Sequence, residues 1–311
     1  MRVYIIRRLL QSLIVLNAVL LLVFLMLQIT GDPAAVLMPP DATHDDLARF
    51  RRDMGFDRPL HVQYANFLFG HGRSQGVLRG DFGYSFRHQV PAMDLVWQHF
   101  PATVQLALTA LLIALVLAIP AGILSAAFRN TWIDHWSSVG AMVGQSMPEF
   151  WLGLMLIIVV AVKLGLLPTS GYEGPSYIIL PALTAGLYAT ARIMRVMRSQ
   201  MLEVLGLDYV RTARAKGLGE TAVVVRHALK NAAIPVVTII GIELGFLLGG
   251  TVVVEAVFAW PGLGFLVVDA INHQDYPVVQ AAVALLAFNF VGVNLAVDLL
   301  YAWLDPRISY R

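Results

Sequence analysis

Six apolar stretches, each near the length that carries a helix across a bilayer, leave this chain few folds to choose from. A hydrocarbon core about 30 Å thick needs roughly 20 residues at 1.5 Å per residue. The stretches are Leu9–Ile29, Thr103–Phe128, Ser137–Val162, Tyr177–Ala191, Ala233–Phe258 and Val278–Trp303. Only 14% of the residues are Asp, Glu, Lys or Arg, against about 25% in soluble domains. Mean hydropathy is +0.70. A soluble core cannot hide that much apolar surface, whereas lipid solvates it. The expected fold is an all-α integral membrane protein with six transmembrane helices. The third stretch contains Gln145, Ser146, Pro148 and Glu149, and the short fourth contains Pro181. Carbonyls freed by proline need partners on neighbouring helices, so both are expected inside the bundle and away from lipid.

Charge placement sets an orientation. Arg2, Arg7 and Arg8 precede the first stretch, and Arg129 follows the second. Arg192, Arg195, Arg198, Arg211, Arg214, Lys216, Arg226 and Lys230 follow the fourth, and Arg307 and Arg311 follow the sixth. Residues 164–176 and 259–277 contain no lysine or arginine. By the positive-inside rule both termini and the 192–232 segment are cytoplasmic. The apolar run after Arg8 is near 20 residues, too long for a secretory signal, so it reads as an uncleaved first span. The chain divides into 1–30 (N-terminus and first span), 31–100 (an external, periplasmic segment) and 101–311 (a core with a cytoplasmic loop at 192–232). Within the external segment, Asp41–Met54 reads as an amphipathic helix, with Leu47 and Phe50 among charges. It either covers the outer mouth, meets a binding protein, or is a solvated cap.

The basic loop holds the sharpest local signal. Asp208-Tyr209-Val210-Arg211-Thr212-Ala213-Arg214-Ala215-Lys216-Gly217-Leu218 predicts a short helix with Asp208 as N-cap. Arg214 and Lys216 complement the dipole of its last turn, and Gly217 stands at a left-handed C′ position. Tyr209, Thr212, Ala213 and Lys216 share one face by their spacing. That face fits close approach of another protein, or a helix lying on anionic lipid.

Chemistry on the chain itself is limited. No Gly-x4-Gly-Lys-Ser/Thr string occurs, so the sequence offers no phosphate loop. There is no Gly-x-Ser-x-Gly elbow, no His-Glu-x-x-His, and no cysteine. The formal charge of +2, without a basic run interleaved with aromatics, argues against nucleic acid. Inside the membrane, Glu243 lies about 15 Å into the fifth stretch. An ionisable group there is a functional candidate by default, and packing with a hydrogen-bonded or protonated carboxyl is the alternative. Glu149 and Asn289 are further candidates for a translocation path. Gly241, Gly245 and Gly249 recur every four residues, a face for close helix packing.

The loop resembles the characteristic cytoplasmic motif of binding-protein-dependent ABC importer permeases, with Ala213 and Gly217 matching it. Arg211 stands where a glutamate leads the general pattern, and Thr212 replaces its first alanine. The form Asp-Tyr-Val-Arg-Thr-Ala-Arg-Ala-Lys-Gly-Leu is similar to the dipeptide/oligopeptide branch. Further likenesses are Gly31-Asp32-Pro33-Ala34, Gly55-Phe56-Asp57-Arg58-Pro59-Leu60 and Gly80-Asp81-Phe82-Gly83-Tyr84-Ser85. Others are Leu180-Pro181-Ala182-Leu183, Glu255-Ala256-Val257-Phe258, Trp260-Pro261-Gly262-Leu263-Gly264, Asp275-Tyr276-Pro277 and Leu304-Asp305-Pro306-Arg307-Ile308. Gln274 stands where an arginine often precedes the Asp-Tyr-Pro. The resemblance implies a permease subunit that moves small peptides or peptide-like solutes by alternating access. It implies a second permease, two ATPase subunits carrying ATP and magnesium, and an external substrate-binding protein. Cofactors on this chain are not expected. Residues 208–218 would form the coupling helix on the ATPase. The residues by themselves leave open a stand-alone secondary transporter or channel, with Glu243 as its ion or proton site, and a scaffold without a path.

Overall fold

A computed structural model describes residues 2–30, 43–70 and 75–304. The Gly31–Ala34 motif, Asp41 and residues 305–311 lie outside the described residues. Described residues form helices and connecting loops, with one isolated antiparallel bridge between Tyr84 and Pro91.

In chain order the helices are α1 (Arg2–Thr30), α2 (His44–Met54), α3 (Leu60–Phe69), α4 (Ala92–Ala127) and α5 (Trp132–Ser146). They continue with α6 (Glu149–Lys163), α7 (Ile179–Leu205), α8 (Asp208–Ala215) and α9 (Glu220–Gly250). Helices α10 (Val252–Val257), α11 (Leu263–Asn272) and α12 (Tyr276–Leu304) complete the order. Five helical segments have the length and composition to cross a bilayer: Ile6–Met26, Ala92–Ala127, Pro175–Leu205, Glu220–Gly250 and Tyr276–Leu299.

The expected third span is different. Helices α5 and α6 meet at 105° around Met147 and Pro148, so they form a sharply bent pair and not one straight rod. Pro148 lacks an N–H and pushes Met147 to extended backbone, which ends α5. Nor is this pair buried within the chain, as Trp132, Trp136, Met142, Phe150 and Trp151 are exposed. The fourth span meets its expectation of burial but is longer than expected. Residues Arg192–Leu205 continue α7 as helix, so the 192–232 segment is not one loop. Arginine is a good helix former, and charge marks where a helix leaves lipid without ending it.

Helices α4 and α7 make the centre of the bundle. Ala107, Ala110, Ala114 and Ala118 put one small-residue face of α4 at zero exposure. A Cβ on Gly186 of α7 would stand 2.6 Å from the Ala110 carbonyl oxygen, and one on Gly122 of α4 would stand 2.7 Å from Met197 Cβ. Backbones this close exclude larger side chains, which is how helices pack where lipid removes the hydrophobic drive between them. Helix α1 lies on the outside, with Leu9, Leu13, Ile14, Leu22 and Met26 exposed. It is tied to α12 by the Arg8–Asp298 pair at 3.1 Å.

The segment after α1 contains α2 and α3. Thr43 and Asp46 form a reciprocal capping box at the start of α2, and the Thr43 hydroxyl and amide hold the Asp46 carboxyl below the usual aspartate range. Gly55 closes α2 at φ 74°. Tyr64 and Phe67 of α3 pack their rings on Phe24 of α1, at 5.3 and 5.6 Å.

Candidate coupling and translocation sites

Helix α8 bridges α7 and α9. Leu207, with extended backbone, occupies the N-cap, and Asp208 is the first helical residue. The expected Asp208 side-chain cap is therefore not formed. Its carboxylate is 95% exposed and pairs with Arg211 at 3.3 Å. The other end follows a six-to-one, five-to-two closure: Leu218 N–H donates to the Ala213 carbonyl at 3.4 Å and Gly217 N–H to Arg214 at 2.9 Å. Gly217 has φ +80°, with open space where a Cβ would stand. Glycine is favoured there by backbone conformation and not by crowding.

One expected face is divided. Val210 and Ala213 are buried in the same core cluster as Val204, Val223 and Val224. Ala213 therefore faces the protein and not a partner, because α8 must bury its few apolar groups against α7 and α9. Asp208, Arg211, Thr212, Ala215 and Lys216 form the exposed face instead, at i, i+3, i+4, i+7 and i+8. Polar links fix α8 to α9. Tyr209 accepts a 2.7 Å hydrogen bond from Asn231 Nδ2. Arg214 donates twice to Glu220, at 3.1 and 2.6 Å. Asn231 and Glu220 were not expected partners. Their signal was only polar residues on the first turns of a spanning helix.

Deeper in the bundle, Glu243 and Glu149 come together. Both line a cavity of 290 Å³ with Tyr188, Arg192, Phe246 and Thr251. Arg192 Nη1 stands 3.0 Å from Glu243 Oε1, and the Glu243 side chain is only 2% exposed. The nitrogen lies within ion-pair distance but off the hydrogen-bond direction, and Glu243 Oε1 receives no hydrogen bond among the described residues. Asn289 is not among the residues lining this cavity. Its buried Nδ2 has no hydrogen-bond partner among the described residues. The glycine face packs on α12: a Cβ on Gly241 would meet Val297 Cγ2 at 2.2 Å, while Cβ atoms on Gly245 and Gly249 would stand 3.7 and 3.8 Å from Phe290.

Comparison with known proteins agrees with these features. Residues 118–310 match the family described as binding-protein-dependent transport system inner membrane component. Residues 1–107 match the N-terminal membrane component of such systems. The chain belongs to this family. It is 43% identical over 309 residues to the glutathione transport system permease protein GsiC of Escherichia coli strain K12, with 99% of each chain covered. The same figures hold for GsiC of Salmonella typhimurium strain LT2. Among solved structures, it resembles the inward-facing MetNI methionine ABC transporter at TM-score 0.58 and 20% identity, covering 68% of this chain and 96% of that one. An amino acid ABC transporter gives TM-score 0.51 at 16% identity, covering 69% and 94%. These two share the fold. The chain is the transmembrane permease subunit of an ABC importer, a multi-pass inner-membrane protein that works within a transporter complex. ATP hydrolysis in such complexes lies on partner chains.

Two of the permease's sequence motifs turn out to be buried joints. Glu255 has no exposure. Its Oε1 accepts from Thr103 at 2.8 Å and Thr251 at 3.0 Å. Its Oε2 accepts from the N–H groups of Gly264 at 2.6 Å and Phe265 at 3.2 Å, at the start of α11. Cβ atoms on Gly262 and Gly264 would meet the Glu255 carboxylate and Val252 Cα at 2.4 and 2.3 Å. Trp260 Nε1 donates to the Ala102 carbonyl at 2.8 Å. The second joint unites segments about 190 residues apart: buried Asp275 accepts from the Ser85 hydroxyl, and from Phe86 N–H at 3.0 Å. A third buried carboxylate, Asp134, receives Arg198 Nε and Nη2 at 2.7 and 2.9 Å, which ties α5 to α7.

Proposed function

We propose that this permease imports small peptides or peptide-like solutes, of which a glutathione-like compound is one form. Its α8 would serve as the coupling helix on an ATPase subunit. The orientation that suits this reading has both termini and α8 in the cytoplasm and α2 and α3 outside. The complex would contain a second permease, two ATPase subunits that bind ATP and magnesium, and an external binding protein. Alternating access would follow as ATP-driven closure of the ATPases moves α8 as a rigid body.

The observation that carries the coupling reading is the construction of α8. Its inner face is anchored to α7 and α9 by Val210 and Ala213, with Tyr209 and Arg214 adding polar ties. Its opposite face is left uncovered. A helix held so firmly on one side transmits a push applied to the other.

Thr212→Trp and Ala215→Trp test this on the exposed face. Ala213→Glu does not, because it would bury a charge in the α8 core. Either tryptophan is expected to abolish ATPase association in co-purification, while membrane insertion and melting temperature stay at the wild-type level. Association and solute-stimulated hydrolysis unchanged in both variants would remove α8 as the coupling helix.

A further inference from the structure

We propose that the cavity between α6, α7 and α9 is a binding site for a small zwitterion. Arg192 receives the solute's carboxylate and Glu149 its ammonium. The proposal deepens the peptide-import reading and rests on it.

Unused bonding capacity points to a ligand. Arg192 carries five N–H donors, yet among the described residues it donates no hydrogen bond, and its one charge partner is the off-axis Glu243. The guanidinium carbon lies 6.0 Å from the Tyr188 ring centre and 5.6 Å from that of Phe246. These rings hold its plane in place by cation–π attraction without using any N–H. Its side chain is 31% exposed, whereas that of Glu243 is 2% exposed. The cation is therefore the partner that a solute reaches. Glu149 has no cation within ion-pair distance and no hydrogen bond among the described residues, and it lines the same cavity.

The balance of charge selects the class. One guanidinium faces two carboxylates, so an anion without an ammonium group is repelled and a simple cation leaves Arg192 unserved. A zwitterion adds no net charge and answers both groups. Its carboxylate accepts two parallel N–H bonds from Arg192, the favoured geometry for this pair. Glu243 then acts as a positioning residue, compensating Arg192 while the site is empty. The volume of 290 Å³ sits at the lower end of the roughly 300–1,000 Å³ that ligand sites occupy, which suits a small solute and not a long chain. Arg192 also forms a wall of an adjoining 240 Å³ cavity lined by Arg195 and Ser199. A carboxylate leaving Arg192 along α7 would therefore meet a second cation.

The test uses the full transporter, with its partner permease, ATPases and binding protein, in proteoliposomes. Exchange of a dipeptide is compared with exchange of its C-terminal amide and its N-acetyl form, each loaded inside the lumen of vesicles oriented to expose this cavity there, so that the binding protein does not filter them. Counterflow is the readout. Wild type is expected to prefer the free dipeptide by at least about tenfold over either form, since a site built for a polar group rejects analogues that lack it. Arg192→Gln/Glu243→Gln, which removes both charges together and so leaves neither unpaired, should erase the preference over the amide and keep that over the acetyl form. Glu149→Gln should do the reverse. Equal loss of all three solutes in both variants, with melting temperatures unchanged, would make these groups structural and overturn the site. Preferences unchanged in both variants would overturn it as well, while leaving peptide import intact. A wild type that exchanges none of the three would overturn the peptide reading itself and the site with it.

Discussion

Two glutamates buried in the same permease, Glu255 and Glu243, are equipped in opposite ways. The four hydrogen bonds that Glu255 accepts, from two hydroxyls and two N–H groups, use both its oxygens. Glu243 has one cation at 3.0 Å and no hydrogen bond on the oxygen that faces it. Both are almost wholly buried. The difference teaches that burial of a charge does not by itself mark a working site. A fully hydrogen-bonded carboxylate is a structural joint, because each partner would be left bare by its removal. A carboxylate beside a cavity with capacity left over is free to change partners.

That comparison is sharpened by three substitutions and one control. Glu255→Ala should have the largest effect, leaving Thr103, Thr251 and the first N–H groups of α11 without their acceptor. The cost expected is about 3 kcal/mol or more, read as loss of monodisperse protein in detergent. If Glu255→Ala purifies and melts like wild type, the joint is not what holds α10 to α11. Gly241→Ala comes next, at about 1–3 kcal/mol, since its Cβ would collide with Val297 and overpacking is costly. Gly249→Ala, with 3.8 Å to Phe290, is the control and should stay within about 0.5 kcal/mol. Apart from the Gly249 control, Glu243→Gln should have the smallest effect on stability, below about 1 kcal/mol, because no hydrogen bond is lost and Arg192, the charge it leaves unpaired, keeps 31% of its side chain exposed. Thermal melting checks it, and a shift as large as that of Glu255→Ala would erase the distinction between the two glutamates.

Much of the fold was legible because helix length and apolarity are local properties. Four of the expected spans each lie along one long helix, the fifth, Ala233–Phe258, is divided between α9 and α10, and the ends of α8 were marked by an acid, a basic last turn and Gly217. The glycine repeat in α9 was likewise readable, since residues four apart must share a face. Other features depend on what the chain meets after folding. Pro148 was visible as a perturbation, but a bend of 105° is decided by what packs on either side. The inward turn of Ala213 follows from Val210, Val223 and Val224 competing for one core. Asp134 and Arg198 carry no local pattern that links them across 64 positions.

Residue order alone determined the class of this protein: apolar runs, charge asymmetry and the 208–218 motif place it among membrane importers' permeases. These are one-dimensional signals, carried by composition and spacing. The roles of its buried charges were decided only by tertiary structure. Glu255 and Glu243 are both glutamates in apolar helical surroundings, and nothing near them in the chain states which will be satisfied. Of the groups that settle it, Thr103 in one case and Arg192 in the other arrive from distant segments, and Gly264 and Phe265 reach Glu255 only because α11 folds back onto α10. A hydrogen bond depends on distance and direction in space, and neither is written along the chain.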